Sequence, residues 1–140
     1  MAGETEIAIG RALFEAWSSG DADAPSRYLT EDAVLYDVVE GTEKVGWPAI
    51  RGFFGNSLKI FPDLVLAPIE FWTNERGVAL TWRLTASIRE ENFGPDHAGK
   101  QLVSDGMSSL EFRGDKVCRE VDYHHGGALQ RSLAAGSERI

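Results

Sequence analysis

Over the first sixty residues the apolar positions recur at helical spacing. Between Glu4 and Ser19, Ile7, Phe14 and Trp17, joined by Ile9 and Leu13, lie three or four residues apart on one broad face, which predicts an amphipathic helix. Gly20-Asp21 ends it. Asp23-Ala24-Pro25 supplies an N-cap and an early proline for a short second helix reaching about Leu29. Ala33 to Val39 reads as a strand. After Gly41, the run GWPAIRGFFGNSLKIFPD sets Ile50, Phe53, Phe54, Leu58 and Phe61 between an early proline and a closing Pro62-Asp63. This predicts a third helix, in which Gly52 and Gly55 are the weak points.

The pattern then changes. Leu64–Trp72, Val78–Ile88, Gln101–Phe112 and Lys116–His124 are rich in β-branched and aromatic residues and are divided by polar or glycine-bearing turns, predicting four strands joined as a meander. The loop REENFGPDHAGK, residues 89–100, is the most polar segment, and Ala128 to Ala134 suggests a last short helix. Neither a repeat nor a linker interrupts the chain. At 140 residues and 43% hydrophobic it can bury one core, so helices followed by a mostly antiparallel sheet predict a single α+β domain over residues 1–140.

Charge and cysteine usage narrow the partners. With 22 acidic against 14 basic residues, a formal charge of -8, the surface would repel nucleic acid, and none is expected as a partner. No apolar run approaches the ~18 residues of a membrane helix. The N-terminal MAGETEIAIG lacks the basic start and long apolar stretch of a leader, so the expectation is a cytoplasmic protein without a membrane partner. The lone Cys118 fits a reducing compartment.

Candidate chemistry concentrates in REVDYHH, Arg119 to His125. Asp122 and His124, two apart on a strand, share a face, whereas His125 points the other way. Two ligands fall short of a metal set, and no metal is expected. The same alternation aligns Cys118, Glu120, Asp122 and His124, where neighbouring carboxyl groups and an imidazole can push one another's pKa values apart for acid–base work. The alternative turns Val117, Val121 and Tyr123 to the core and the acids to water, as charged residues usually are. Asp37, inside the apolar AVLYDVVEG, lies either at a sheet margin or buried for a purpose. Arg83 shares a face with Thr81, Thr85 and Ser87, opposite Leu80, Trp82 and Leu84.

Taken together, LFEAWSSGDADAPSRYLTEDAVLYDVVEG, VGWPAIRGFF and GKQLVSDGMSSLEFRGDKVCREVDYHHGGALQRSL resemble the SnoaL-like polyketide cyclases. These belong with ketosteroid isomerase and limonene epoxide hydrolase to the nuclear-transport-factor-2-like superfamily. The resemblance implies a cone-shaped, curved, mostly antiparallel sheet, N-terminal helices across its concave face, a deep pocket between them, and a homodimer through the outer sheet face, here Met107, Val121 and Tyr123. It also implies that Glu120, Asp122 and His124 line the pocket. Asp37 matches the isomerase's proton-shuttling carboxylate, Asp122 the acid–base aspartate, and Arg83 the hydrolase arginine that orients its acids. Leu13, Ser108 and Thr85 stand where relatives carry an oxyanion tyrosine, a neutral acid and a second catalytic aspartate. The implied activity is a cyclase, isomerase or related lyase that needs no cofactor and acts on a hydrophobic carbonyl compound. Asp122, His124, Asp37 and Arg83 would be catalytic, with Phe14, Trp17, Phe53, Phe54, Ser108, Leu110 and Glu120 against the substrate. The alternatives are a non-catalytic binding or dimerising scaffold and an epoxide hydrolase-like activity.

Overall fold

A computed structural model describes residues 3–135. In chain order these form α1 (Glu4–Trp17), a 3₁₀ turn at Ala24–Tyr28, β1 (Leu29–Asp37), β2 (Thr42–Val45) and α2 (Trp47–Ile60). There follow β3 (Val65–Asn74), β4 (Gly77–Ser87), α3 (Glu90–Phe93), a 3₁₀ turn at Pro95–His97, β5 (Gln101–Arg113), β6 (Lys116–His124) and α4 (Ala128–Ala134). The six strands make one curved sheet in the order β2-β1-β6-β5-β4-β3. Only β1 and β6 run parallel; all other neighbours are antiparallel.

The apolar stripe of α1 is buried through Leu13, Phe14, Ala16 and Trp17, but Gly10 rather than Ile9 completes it. A Cβ at Gly10 would come 3.1 Å from Leu110 Cδ1, so the bare glycine lets helix and sheet approach closely. In α2 the weak points hold: Gly52 and Gly55 have open space beside them, and Ile50 and Phe54 seat the helix on the core. Gly46 precedes it with φ +86°, a conformation suited to glycine.

Three expectations need correction. Residues 42–45, TEKV, form a strand that escaped notice because it is short, polar and at the sheet edge, paired only with β1. The polar loop 89–100 contains two short helical turns. On β6 a bulge interrupts the alternation: Glu111 pairs with Arg119 and Phe112 with Val117, leaving Cys118 as the extra residue. Val117 therefore turns inward with Glu120 despite opposite parity, and both are buried, while Cys118 drops out of the inward row. Beyond the bulge alternation resumes, with Glu120, Asp122 and His124 inward and Tyr123 53% exposed on the convex face. Met107 is exposed there too, whereas Val121 is already covered within the monomer.

Candidate active site

Alternation along five strands and the apolar stripes of α1 and α2 converge on a cavity of about 280 Å³. Phe14 and Trp17 of α1 and Phe53 and Phe54 of α2 form one wall. Trp82 and Leu84 of β4 and Leu102 and Ser104 of β5 form the other, and Leu129 of α4 adds to the lining. The polar floor comes from Asp37 at the end of β1 and Glu120, Asp122 and His124 on β6. Asp37 and Asp122 are direct partners in the parallel pairing of β1 and β6, which is why residues 85 apart in sequence meet.

The floor is two linked pairs. In the first, His124 Nε2 lies 2.9 and 3.0 Å from the two oxygens of Asp37. Asp37 also accepts the backbone N–H groups of Val39 and Glu40 at 3.0 and 3.1 Å. Burial opposes ionisation of Asp37, but these donors together outweigh it and hold the carboxyl below its ordinary range. The same hydrogen bond to Asp37 holds His124 above the ordinary imidazole value against its partial burial. Each partner therefore favours the charged form of the other.

In the second pair, burial pushes the Glu120 carboxyl well up and neighbouring Asp122 pushes it further. Burial also raises Asp122, although hydrogen bonds from Glu120 and Ser108 and the charge of His124 act the other way. Both carboxyl groups are thus pushed toward the protonated form, most strongly the more deeply buried Glu120, so the pair favours a bound proton there. Two tryptophans fix its direction, because an indole N–H can only donate. Trp17 donates to Glu120 Oε1 at 3.1 Å, leaving the other oxygen of Glu120 to carry the proton toward Asp122. Trp82 donates to Ser108 Oγ at 2.9 Å, so the Ser108 hydroxyl hydrogen turns to Asp122 Oδ1 at 2.6 Å. Asp122 thus accepts the Ser108 O–H while remaining on the pocket surface.

Most of the sequence-predicted residues meet here: Asp37, Glu120, Asp122 and His124 on the floor, Phe14, Trp17, Phe53 and Phe54 on the walls. Three do not. Arg83 stands on the convex face, where it pairs with Asp105 at 2.7 and 3.1 Å. The pocket-facing positions of β4 are Trp82 and Leu84, so no arginine from this strand orients the acids, and the hydrolase arrangement is not formed. Leu110 is fully buried against Gly10 in the core rather than on the pocket wall. Ser108 is equally covered, and acts on the pocket only through Asp122. His125, expected to face elsewhere, is exposed at the rim, where its Nδ1 accepts the Gly127 N–H at 2.9 Å.

Residue-type reasoning missed Trp82, Leu84, Leu102 and Ser104 as lining. Their signal was the even-numbered alternation of β4 and β5, readable once the pocket face of β6 is known. Ser104 is unusual among them: buried, with no hydrogen-bond partner for its Oγ among the described residues. An unpaired buried hydroxyl costs about 1–3 kcal/mol.

Solved structures share this architecture. AclR, a proposed hydroxylase from Streptomyces galilaeus, is 26% identical over 92% of this chain and 84% of its own, with a TM-score of 0.76. Wild-type IdmH, a proposed polyketide cyclase from Streptomyces antibioticus, is 16% identical over 94% of this chain and 99% of its own, with a TM-score of 0.81. A protein from Catenulispora acidiphila with a ketosteroid isomerase-like fold, solved with trimethylamine, is 15% identical over 96% and 95%, with a TM-score of 0.79. No curated protein matches the sequence. The fold is the nuclear-transport-factor-2-like cone of α+β type. With a family match running from residue 10 to residue 120, the chain belongs to the SnoaL-like domain family.

Proposed function

We propose that the protein is an acid–base enzyme of the cyclase or isomerase kind, acting on an uncharged, hydrophobic ketone. The observation that carries this reading is geometric: Glu120 and Asp122 lie side by side at the floor of an apolar pocket, Trp17 donating to the first and Ser108 to the second. Asp122 is the base. Raised from the ordinary aspartate value, it is a better proton acceptor than a solvated carboxylate, yet the Glu120 proton and the His124 charge keep it ionised for the task.

The step starts with a C–H beside the ketone carbonyl. Asp122 takes that proton, the C–H electron pair becomes the enolate π bond, and negative charge develops on the ketone oxygen. The His124 imidazolium stabilises that charge, held by Asp37. In an isomerisation Asp122 returns the proton to another carbon. In a cyclisation the enolate carbon attacks a second carbonyl, a C–C bond forms, and the new alkoxide takes the proton from Asp122. Substrate charge follows from the walls: among the described residues neither lysine nor arginine lines the pocket, and the one imidazole on the floor that can offset negative charge, His124, is taken up by the developing enolate. A carboxylate or phosphate would bring an uncompensated charge into this site.

Exchange of α-protons tests the chemistry without a known product. Incubated with 2-tetralone in D₂O, the protein should speed deuterium uptake at the α-carbons well above buffer, as followed by NMR. A ketone that binds and is recovered with its protons exchanging at the buffer rate would leave a binding module instead.

A further inference from the structure

Ser104 is a polar group that the proposed chemistry does not use. It lies on β5 opposite Leu84, with Leu102 two residues away on the same face, and it lines the pocket. The residue is 5% exposed, and its Oγ has no hydrogen-bond partner among the described residues. The other buried serines of β5 and α4 are bonded: Ser108 to Asp122, and Ser132 to the Val103 N–H. Alanine at position 104 would avoid the cost of desolvating a hydroxyl, so a serine kept in an apolar wall points to an occasional partner.

The spacing says where that partner comes from. Ser108, which holds Asp122, is four residues from Ser104 on an extended strand, roughly 13 Å between Cα atoms. Between them the indole of Trp82 lies over Gly106, where a Cβ would meet two ring carbons at 2.3 Å. A ligand with its acidic carbon at Asp122 must cross the Trp82 ring before reaching Ser104. We propose that Ser104 Oγ hydrogen-bonds an oxygen at the far end of the ligand, so that the pocket selects uncharged, elongated ketones carrying a second ketone or hydroxyl oxygen remote from the reacting carbon. This rests on the proposed reading in taking the pocket as the ligand site, but not on Asp122 being a catalyst.

The test compares two probes of one skeleton, 2-tetralone and 6-hydroxy-2-tetralone, titrated calorimetrically into wild type, Ser104→Ala and Ser104→Cys. Wild type should bind the hydroxylated probe about tenfold more tightly, the strength of one neutral hydrogen bond. Ser104→Ala should bind the two alike, with Tm equal to or above wild type because no internal hydrogen bond is lost. Ser104→Cys, close in shape and a weak donor, should behave as the alanine variant does. Absence of the preference in wild type, its survival in both variants, or a lower Tm for Ser104→Ala would overturn the role. The two proposals fail separately. Exchange of 2-tetralone protons without any hydroxyl preference sinks Ser104 and spares the acid–base chemistry; the preference without exchange does the reverse.

Discussion

Asp105 and Asp122 occupy adjacent strands of one sheet, yet they face opposite sides and do opposite things. On the convex face Asp105 is solvated and paired with Arg83, whose hydrogen bond holds its carboxyl below the ordinary range. On the concave face Asp122 loses water to Trp82, Glu120 and the pocket walls, and burial holds it above that range. Side-chain chemistry is identical in the two places; the pleat decides which becomes a proton acceptor. The lesson is that ionisable residues in this sheet are read correctly only after each strand's inward parity is fixed, and a one-residue slip exchanges a surface ion pair for a carboxyl group on the pocket floor.

The largest expected effect is the same substitution made on both faces. Asp122→Asn keeps size and removes the basic carboxylate, so α-proton exchange should fall by roughly 10²–10⁴, the usual weight of a positioned general base. Asp105→Asn should leave exchange at the wild-type rate. Parallel NMR exchange assays on the two variants decide it, and equal losses would erase the distinction between the faces.

A smaller effect sharpens the concave side. Below the ordinary glutamate value of 4.5 the folded and unfolded chains both hold the Glu120 proton. Above it the unfolded chain releases the proton while the folded chain keeps it, so stability falls as pH rises, until folded Glu120 itself ionises. Glu120→Gln mimics the protonated acid: its carbonyl can accept from Trp17 and its amide can donate to Asp122. This variant should lose less stability than wild type as pH rises above the carboxylate range, seen as a Tm difference that widens in its favour. His124 provides an internal control. Its raised value contributes stability that is complete below 6.5 and lost as pH rises through the folded value, and this second decline should persist in Glu120→Gln.

How much of this was legible beforehand depended on periodicity. The helices around Phe14, Trp17 and Phe54 and the four long strands follow from apolar spacing, because burial of one face imposes it. Asp122 and His124 were found as a pair for the same reason. β2 was hidden because an exposed edge strand of polar residues has no face to bury. That Val117 turns inward together with Glu120 was hidden because a bulge adds a residue without leaving a compositional mark. The Asp37–His124 pair depends on β1 lying parallel beside β6, a long-range choice that local pattern does not encode. The row Leu102, Ser104, Gly106, Ser108 was visible as alternation, but small polar residues do not announce a pocket wall.

The smallest expected effect concerns Arg83, where resemblance and structure part. Aligned with a hydrolase arginine, it would orient the acids, and Arg83→Ala would abolish turnover. Placed as it is, 55% exposed at its side chain and bonded to Asp105, it has no route to Asp122 except through the body of the sheet. Exposed ion pairs contribute little because water screens them and two long side chains must be ordered to form them. Arg83→Ala should therefore leave exchange, its pH dependence and Tm at wild-type values, while Trp82 on the opposite parity remains indispensable to the Ser108–Asp122 arrangement. Removing the Trp82 donor in Trp82→Phe gives the matching positive control, since Ser108 then loses the partner that turns its hydroxyl hydrogen toward Asp122. Loss of exchange in Arg83→Ala with full activity in Trp82→Phe would mean that the inward and outward parities of β4 have been assigned the wrong way round.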